Sequence, residues 1–512
     1  MSQPWWKTAV AYQIYPRSFC DTTGNGIGDL EGIRRQLDHI CDLGVDALWL
    51  SPFFPSPMAD YGYDVSDYCG VDPLFGDLDE FDRLVTEAHQ RSLRVIIDWV
   101  PNHTSIEHPW FTESRSSKDS PKRDWYVWRD PSADGGPPNN WIESLTFGQA
   151  WTLDPATGQY YLHCFLPEQP DLNWANPDVA GAMADTLRFW LDRGVDGFRM
   201  DVVHLIGKDP TLPDEPPEVA GLPHTVLNFR PETHEHLRRL RTLIDSYPDD
   251  RMAIGEIYLL DTALVASHYG HGDELHLCFN FPPLYTPWDA SAWRAAISET
   301  VRELDAIDAW PTWVLSNHDN PRHRTRYGDR EDRARAAAVM LCTLRGTPFL
   351  YAGEELGLSD AVVSREQRHD PAGRDGCRAP IPWDGSGTHG WATSQPWLPW
   401  PPDAATRHAE AQRSDPASIF HLYRDLLALR RSTPALQHGD FELIDGPDPA
   451  RVLAYRRIGS GAGDSGPYTV LVSMVDERIA TRLPGQLVLS SAGRHDWDGV
   501  LDGNEAVILT GV

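Results

Sequence analysis

Four short segments carry more ionisable and polar side chains than a structural framework needs. They are Asp98-Trp-Val-Pro-Asn102-His103, Gly197-Phe-Arg199-Met-Asp201, Gly255-Glu256 and Ser316-Asn317-His318-Asp319-Asn320. Each one ends or contains an apolar run that reads as a strand. On a strand, Arg199 and Asp201 stand two residues apart and point to the same face. An Arg beside a carboxylate favours its ionised form, which suits a nucleophile. A single strand-end acid is as often a helix cap or an ion-pair partner. Three acids (Asp201, Glu256, Asp319) converging from three strands with His103 and His318 are harder to explain that way. With no Cys or His at metal-ligand spacing and no nucleotide loop, this set points to glycoside hydrolysis by paired carboxylates.

The elements that must position these groups alternate regularly. Apolar runs at 9–15, 45–50, 94–100, 195–203, 252–258, 275–281, 312–316 and 348–351 read as eight strands. Amphipathic stretches at 30–43, 78–91, 179–193, 232–246, 291–308 and 330–344 read as the helices between them. Eight strand–helix units predict an α/β fold, a (β/α)8 TIM barrel over 1–103 and 177–433. Such a barrel places its site at the C-terminal ends of the strands, where the four segments fall. Residues 104–176, rich in Pro, Gly, Trp and Asn, exceed a βα loop and predict an inserted subdomain after the third strand. A helix at 418–431 precedes an all-β C-terminal domain, a β-sandwich over 434–512 built from short runs at 441–444, 452–457, 469–474, 487–489 and 506–509.

Composition removes several function classes. The 512 residues hold 45 Lys+Arg against 75 Asp+Glu, a net charge of −30. Nucleic acid and anionic membrane surfaces repel such a chain. No window approaches 18 consecutive apolar residues, and the N-terminus lacks the pattern of a secretory signal. Seven scattered cysteines without a CxxC read as reduced thiols. The expectation is a cytoplasmic monomer or small homo-oligomer acting on a small-molecule substrate, with no nucleic-acid or membrane partner.

The motifs DWVPNH (98–103), GFRMD (197–201), GE (255–256) and SNHDN (316–320) resemble the four signature regions of the α-amylase family of glycoside hydrolases. QPDLNW (169–174), AVAYQIYPRSF (9–19) and YGYDVSDY (61–68) resemble its oligo-1,6-glucosidase and α-glucosidase branch. The resemblance covers nearly the whole chain. It implies a retaining, exo-acting α-glucosidase with Asp201 as nucleophile, Glu256 as general acid/base and Asp319 as transition-state stabiliser. It implies that His103 and His318 bind sugar hydroxyls and that Tyr63 offers a stacking face. Arg199 would keep Asp201 ionised while Glu256 stays protonated. Asp64 and Arg378 match the pair that seals the far end of the pocket in such enzymes. Val202, which follows the nucleophile, would face the leaving-group side and bear on the choice between α-1,6 and α-1,4 bonds. The glycine-rich loop at 24–28 carries acids that repel pyrophosphate and suit a hard cation. By the resemblance it is a structural Ca2+ (or Mg2+) site of Asp21, Asn25, the Ile27 carbonyl and Asp29, with Thr23 where Asn or Asp is usual; no organic cofactor is implied.

Other polar clusters read as structural: His268, His271 and His276 lack a fitting carboxylate pattern, and His234 and His236 face apart on a helix. Trp383, Trp391, Trp397 and Trp400 read as packing. A transglucosylase or disaccharide isomerase of the same fold is the nearest rival, since a sugar acceptor can replace water. A catalytically inactive relative, like the heavy subunits of amino-acid transporters, would carry a membrane helix and lack the acids.

Overall fold

In the computed structural model, which describes residues 3–223, 227–459 and 466–511, all eight expected barrel strands form. They are Ala11–Ile14, Ala47–Leu50, Arg94–Trp99, Gly197–Met200, Met252–Gly255, Leu277–Cys278, Thr312–Val314 and Thr347–Tyr351. Every pairing is parallel, in the order seventh, eighth, first through sixth. Between the sixth and seventh strands the Thr312 hydroxyl stands in for a backbone ladder. It donates to the Cys278 carbonyl at 2.8 Å and accepts from the Asn280 N–H at 3.2 Å. The barrel interior is filled by inward side chains including Trp49, Ile96, Met252, Ile254, Phe279 and Phe349. The alternate residues pack outward on the helices, as Phe198 and Met200 do. This is a packed core and not a channel.

The stretch at 30–43 forms two helices, Leu30–Arg35 and Leu37–Leu43, and not one. Gly32 lies so close to the Cys20 carbonyl that a Cβ would sit 2.0 Å from its oxygen. The first helix is therefore pinned to the preceding loop, and the chain changes direction at Gln36.

The inserted subdomain contains helix Pro109–Arg115 and an antiparallel sheet of Trp128–Arg129, Gln159–Leu162 and Trp151–Asp154. The C-terminal domain is a five-stranded antiparallel sheet in the order Asp440–Leu443, Val452–Ile458, Tyr468–Ser473, Ala506–Thr510, Gln486–Ser490. A two-stranded sheet, Ile479–Ala480 with Val500–Leu501, packs on one face against Val452, Ala454, Leu471 and Val507. Leu453, Tyr455, Val470 and Ile508 alternate to the other face and join the main core. No helix among the described residues is long and apolar enough to cross a membrane.

Candidate active site

The fourth strand delivers Arg199 into a ring of acids. Its Nη1 contacts Asp201 Oδ1 at 2.6 Å and Asp98 Oδ1 at 2.7 Å, and its Nη2 contacts Glu256 Oε2 at 2.7 Å. The acids come from the third, fourth and fifth strand ends, so one guanidinium sets the spacing of three carboxylates. Glu256 follows Gly255 directly, and its N–H donates to the Met200 carbonyl at 2.8 Å, continuing the ladder. Its Oε2 also accepts from the Val202 N–H at 3.1 Å. That contact requires Val202 to turn out of the strand at φ 35°, a left-handed conformation that β-branched residues rarely adopt.

Burial raises the Asp201 carboxyl well above the usual carboxylate range; Arg199 opposes it, and the neighbouring Glu256 charge reinforces it. The expectation that Arg199 alone would keep Asp201 at or below its ordinary pKa is thereby corrected. Arg199 bridges the two acids, reaching Asp201 at 2.6 Å and Glu256 at 2.7 Å. Burial likewise pushes Asp98 up to about 7 against the pull of Arg199. Asp319 behaves in the opposite way. Burial would raise it, but His318, Arg374, Arg378 and Arg199 together hold it below the usual range. Burial lowers His103 to about 4 and His318 to about 3, so both imidazoles are neutral near pH 7.

A cavity of about 520 Å3 opens over these groups. Its lining includes Asp60, Tyr63, His103, Asp201, Glu256, Asp319 and Arg374, and Val202 joins it beside the nucleophile. Three expected positions are corrected. Asp64 lies outside the wall, buried, with its oxygens accepting from Ser56 Oγ, the Ala59 N–H and the Asp60 N–H. Arg378 is fully buried behind the wall, donating to the His318 carbonyl and to Asp319 Oδ1. The pair that faces the cavity is Asp60 with Arg374 (2.6 Å), and Arg374 also reaches Asp319 at 3.0 Å. His318 sits behind Tyr63, stacked on it at 5.5 Å, with Nε2 2.6 Å from the Tyr63 hydroxyl and 3.1 Å from Asp319. It therefore braces the wall and does not form it.

Sequence reasoning missed Asp60, Arg374 and the role of Asp98. It also missed Lys208, a buried ammonium that reaches Asp171 at 2.8 Å and Asn102 at 2.7 Å. That contact ties the long 203–230 connection to the third strand and to the inserted subdomain. A lone Lys after the signature GFRMD, opposite the Asp171 of QPDLNW, was the available signal.

In the loop at 21–29, Asp21 and Asp29 are both buried, and among the described residues neither is paired with Lys or Arg. Burial raises the Asp29 carboxyl, and the facing Asp21 adds to it. Backbone N–H groups of Thr23, Gly24 and Gly26 donate to Asp21, and those of Thr22 and Gly32 to Asp29. The exposed Asn25 of the same loop accepts from the Ile27 N–H at 2.8 Å, and among the described residues no group of three or more His, Cys, Asp or Glu side chains is gathered to hold a metal ion. The remaining clusters are structural, as read: His234 pairs with Glu274, His276 with Asp245, and Trp383 and Trp391 are core residues.

Residues 13–439 match the model of the alpha-amylase catalytic domain, and the chain belongs to that family. It is 45% identical to a probable alpha-glucosidase of Rhizobium meliloti (strain 1021), over 86% of this chain and 85% of that one. It is 37% identical to an oligo-1,6-glucosidase of Parageobacillus thermoglucosidasius, over 95% and 93% of the two chains. Among solved structures, an alpha-glucosyl transfer enzyme, XgtA, superposes with a TM-score of 0.90 at 41% identity, covering 99% of this chain and all of the other. The trehalulose synthase MutB superposes at 0.92 and 36% identity with the same coverage.

Proposed function

We propose that the protein is a retaining, exo-acting α-glucosidase that removes glucose from the non-reducing end of short oligosaccharides or α-glucosides. The observation that carries this reading is the Asp201 and Glu256 carboxylates, both bridged by Arg199, at the floor of a cavity whose wall holds Asp319 and the Asp60–Arg374 ion pair. In the first step Glu256 gives its proton to the glycosidic oxygen as the C1–O bond breaks, and Asp201 forms an ester to C1. In the second, Glu256 takes a proton from water, whose oxygen bonds C1 as the ester breaks. Asp319, held ionised, and neutral His103 stabilise the charge that develops on the ring between these states. Asp60 and Arg374 bind the outer hydroxyls of the terminal glucose, so a polymer enters only by its tip.

The structural likeness to an α-glucosyl transfer enzyme and to a trehalulose synthase supports a second reading. In it a sugar hydroxyl replaces water in the second step, giving transfer or isomerisation. Time-resolved product profiles on maltose, isomaltose, sucrose and trehalose separate the two. Glucose in step with substrate loss supports hydrolysis; new disaccharides without matching glucose support transfer.

The same reading gives the 21–29 loop a structural Ca2+ or Mg2+ held by Asp21, Asn25, the Ile27 carbonyl and Asp29. Such an ion neutralises the two buried acids and takes no part in the reaction. Adding a chelator is then expected to lower Tm by several degrees, with recovery on adding back Ca2+; an unchanged Tm rejects the site. The compartment is proposed as the cytoplasm and the oligomeric state as a monomer or small homo-oligomer.

A further inference from the structure

Beyond the catalytic groups, the cavity lining carries the apolar side chains Leu145, Phe147, Phe165, Val202, Leu205 and Pro223 together with the polar Ser144, His204 and Asn228. Phe147 is unusual on two counts. Its side chain is 62% exposed, and its backbone sits at φ 60°, a region that favours Gly or Asn over an aromatic residue. Neither burial nor backbone preference explains a Phe there.

The backbone that holds it is rigid. Ile142 pairs with Gln149, and the Glu143 N–H donates to the Gly148 carbonyl at 2.9 Å. Inside this hairpin the buried Glu143 carboxylate accepts from the N–H groups of Leu145, Thr146 and Gly148 at 2.6, 2.9 and 3.0 Å, and from the Thr146 hydroxyl. The Ser144 N–H donates to the Cys164 carbonyl at 3.0 Å and anchors the tip to the rest of the subdomain. Leu145 and Phe147, both in the cavity lining, are thus held by a carboxylate that grips the turn from within.

We infer that Phe147, presented by the Glu143-clamped hairpin, is a specificity-determining residue that favours leaving groups with an aromatic or apolar body over a second sugar. This rests on the α-glucosidase reading and extends it to the substrate class. A second sugar carries hydroxyls around its rim, and the face of the Phe147 ring leaves those turned toward it without partners. An aryl-substituted alcohol loses no such bonds there and stacks on the Phe147 ring. It departs as a neutral molecule after taking the Glu256 proton, so the chemical step is unchanged.

The test compares kcat/KM for benzyl α-glucoside and isomaltose, whose leaving alcohols are of similar basicity, in the wild type, Phe147→Ala and Phe147→Gly. Phe147→Ala is expected to lose about tenfold on the benzyl glucoside and less than about threefold on isomaltose. Phe147→Gly, free of the backbone strain, should show the same shift in ratio together with a raised Tm, and it stands in should the Ala variant fail to fold. Equal losses on both substrates, or a loss confined to isomaltose, overturn the inference. If the wild type releases glucose from neither substrate, the glucosidase reading falls on its own. The rim is then judged by saturation-transfer NMR with benzyl alcohol: a ring signal lost in Phe147→Ala upholds it, and an unchanged or absent signal overturns it.

Discussion

At the scale of single residues, two arginines divide the work. Arg199 lies beneath the reacting groups and fixes the spacing of Asp98, Asp201 and Glu256. Arg374 lies at the inner end and holds Asp60, Asp319 and Asp370. Removing one partner of a buried charge set leaves the other charges uncompensated, a cost of about 3–5 kcal/mol. Arg374→Met is therefore expected to lower kcat/KM on maltose at least roughly a hundredfold, by raising KM and letting the Asp319 carboxyl drift upward. Steady-state kinetics across pH check this; an unchanged KM would remove the pocket-closing role. The sequence placed this function four residues too late in both partners, at Asp64 and Arg378. Asp60 and Asp64 share one loop, and Arg374 and Arg378 share another. Which of each pair faces the cavity depends on side-chain direction, and loop spacing alone does not encode it. Asp201 and Glu256 were legible because each directly follows its strand, whose end offers one direction, while Asp319, five residues past its strand, was legible from the SNHDN segment.

Elements set the remaining geometry. The turn after the fourth strand sets Val202 in the cavity lining at φ 35°, at a cost in backbone strain. A β-branched side chain there narrows the space for the second sugar, a contact worth about 1–3 kcal/mol in discrimination. Val202→Ala and Val202→Thr are expected to move the kcat/KM ratio of maltose to isomaltose toward maltose; parallel changes would make the connection after it the selector. Helix Pro109–Arg115 illustrates a different constraint. Its N-cap is His108, whose Nδ1 accepts from the Trp110 N–H at 3.1 Å, and burial lowers its pKa to about 3. A folded-state pKa below the unfolded value of 6.5 gives stability that is present above pH 6.5 and lost as pH falls toward 3. His108→Asn keeps a capping acceptor and removes the titration. Denaturant unfolding should find the two proteins similar at pH 7.5. Below pH 6.5 the wild type should lose up to about 1.4 kcal/mol per pH unit relative to the variant. A constant difference across that range would mean His108 is not held neutral. Apolar periodicity made the eight strands and most helices readable; the break at Gln36, where the backbone leaves the helical region at ψ 4°, carries no Gly or Pro to mark it.

For the molecule as a whole, the barrel supplies the acids and the inserted subdomain supplies the other wall of the cavity, with His103 and Phe165 on the side it shares with the third strand. The break in strand–helix alternation at 104–176 announced the subdomain. What it presents to the cavity, including Phe147, depends on a hairpin shaped by one buried carboxylate, which no periodicity marks. The net charge of −30 is compatible with this arrangement, because a neutral sugar is bound by hydrogen bonds and needs no attractive field. The central claim is that Asp201 attacks C1 from one face while Glu256 protonates the leaving oxygen on the other, so that two displacements restore the starting configuration. Proton NMR of the first glucose released from p-nitrophenyl α-glucoside, whose leaving group is not itself a sugar, recorded before mutarotation, tests this directly. The account predicts α-glucose first, with β-glucose appearing only at the rate of mutarotation; β-glucose as the initial product would mean a single displacement and would contradict it.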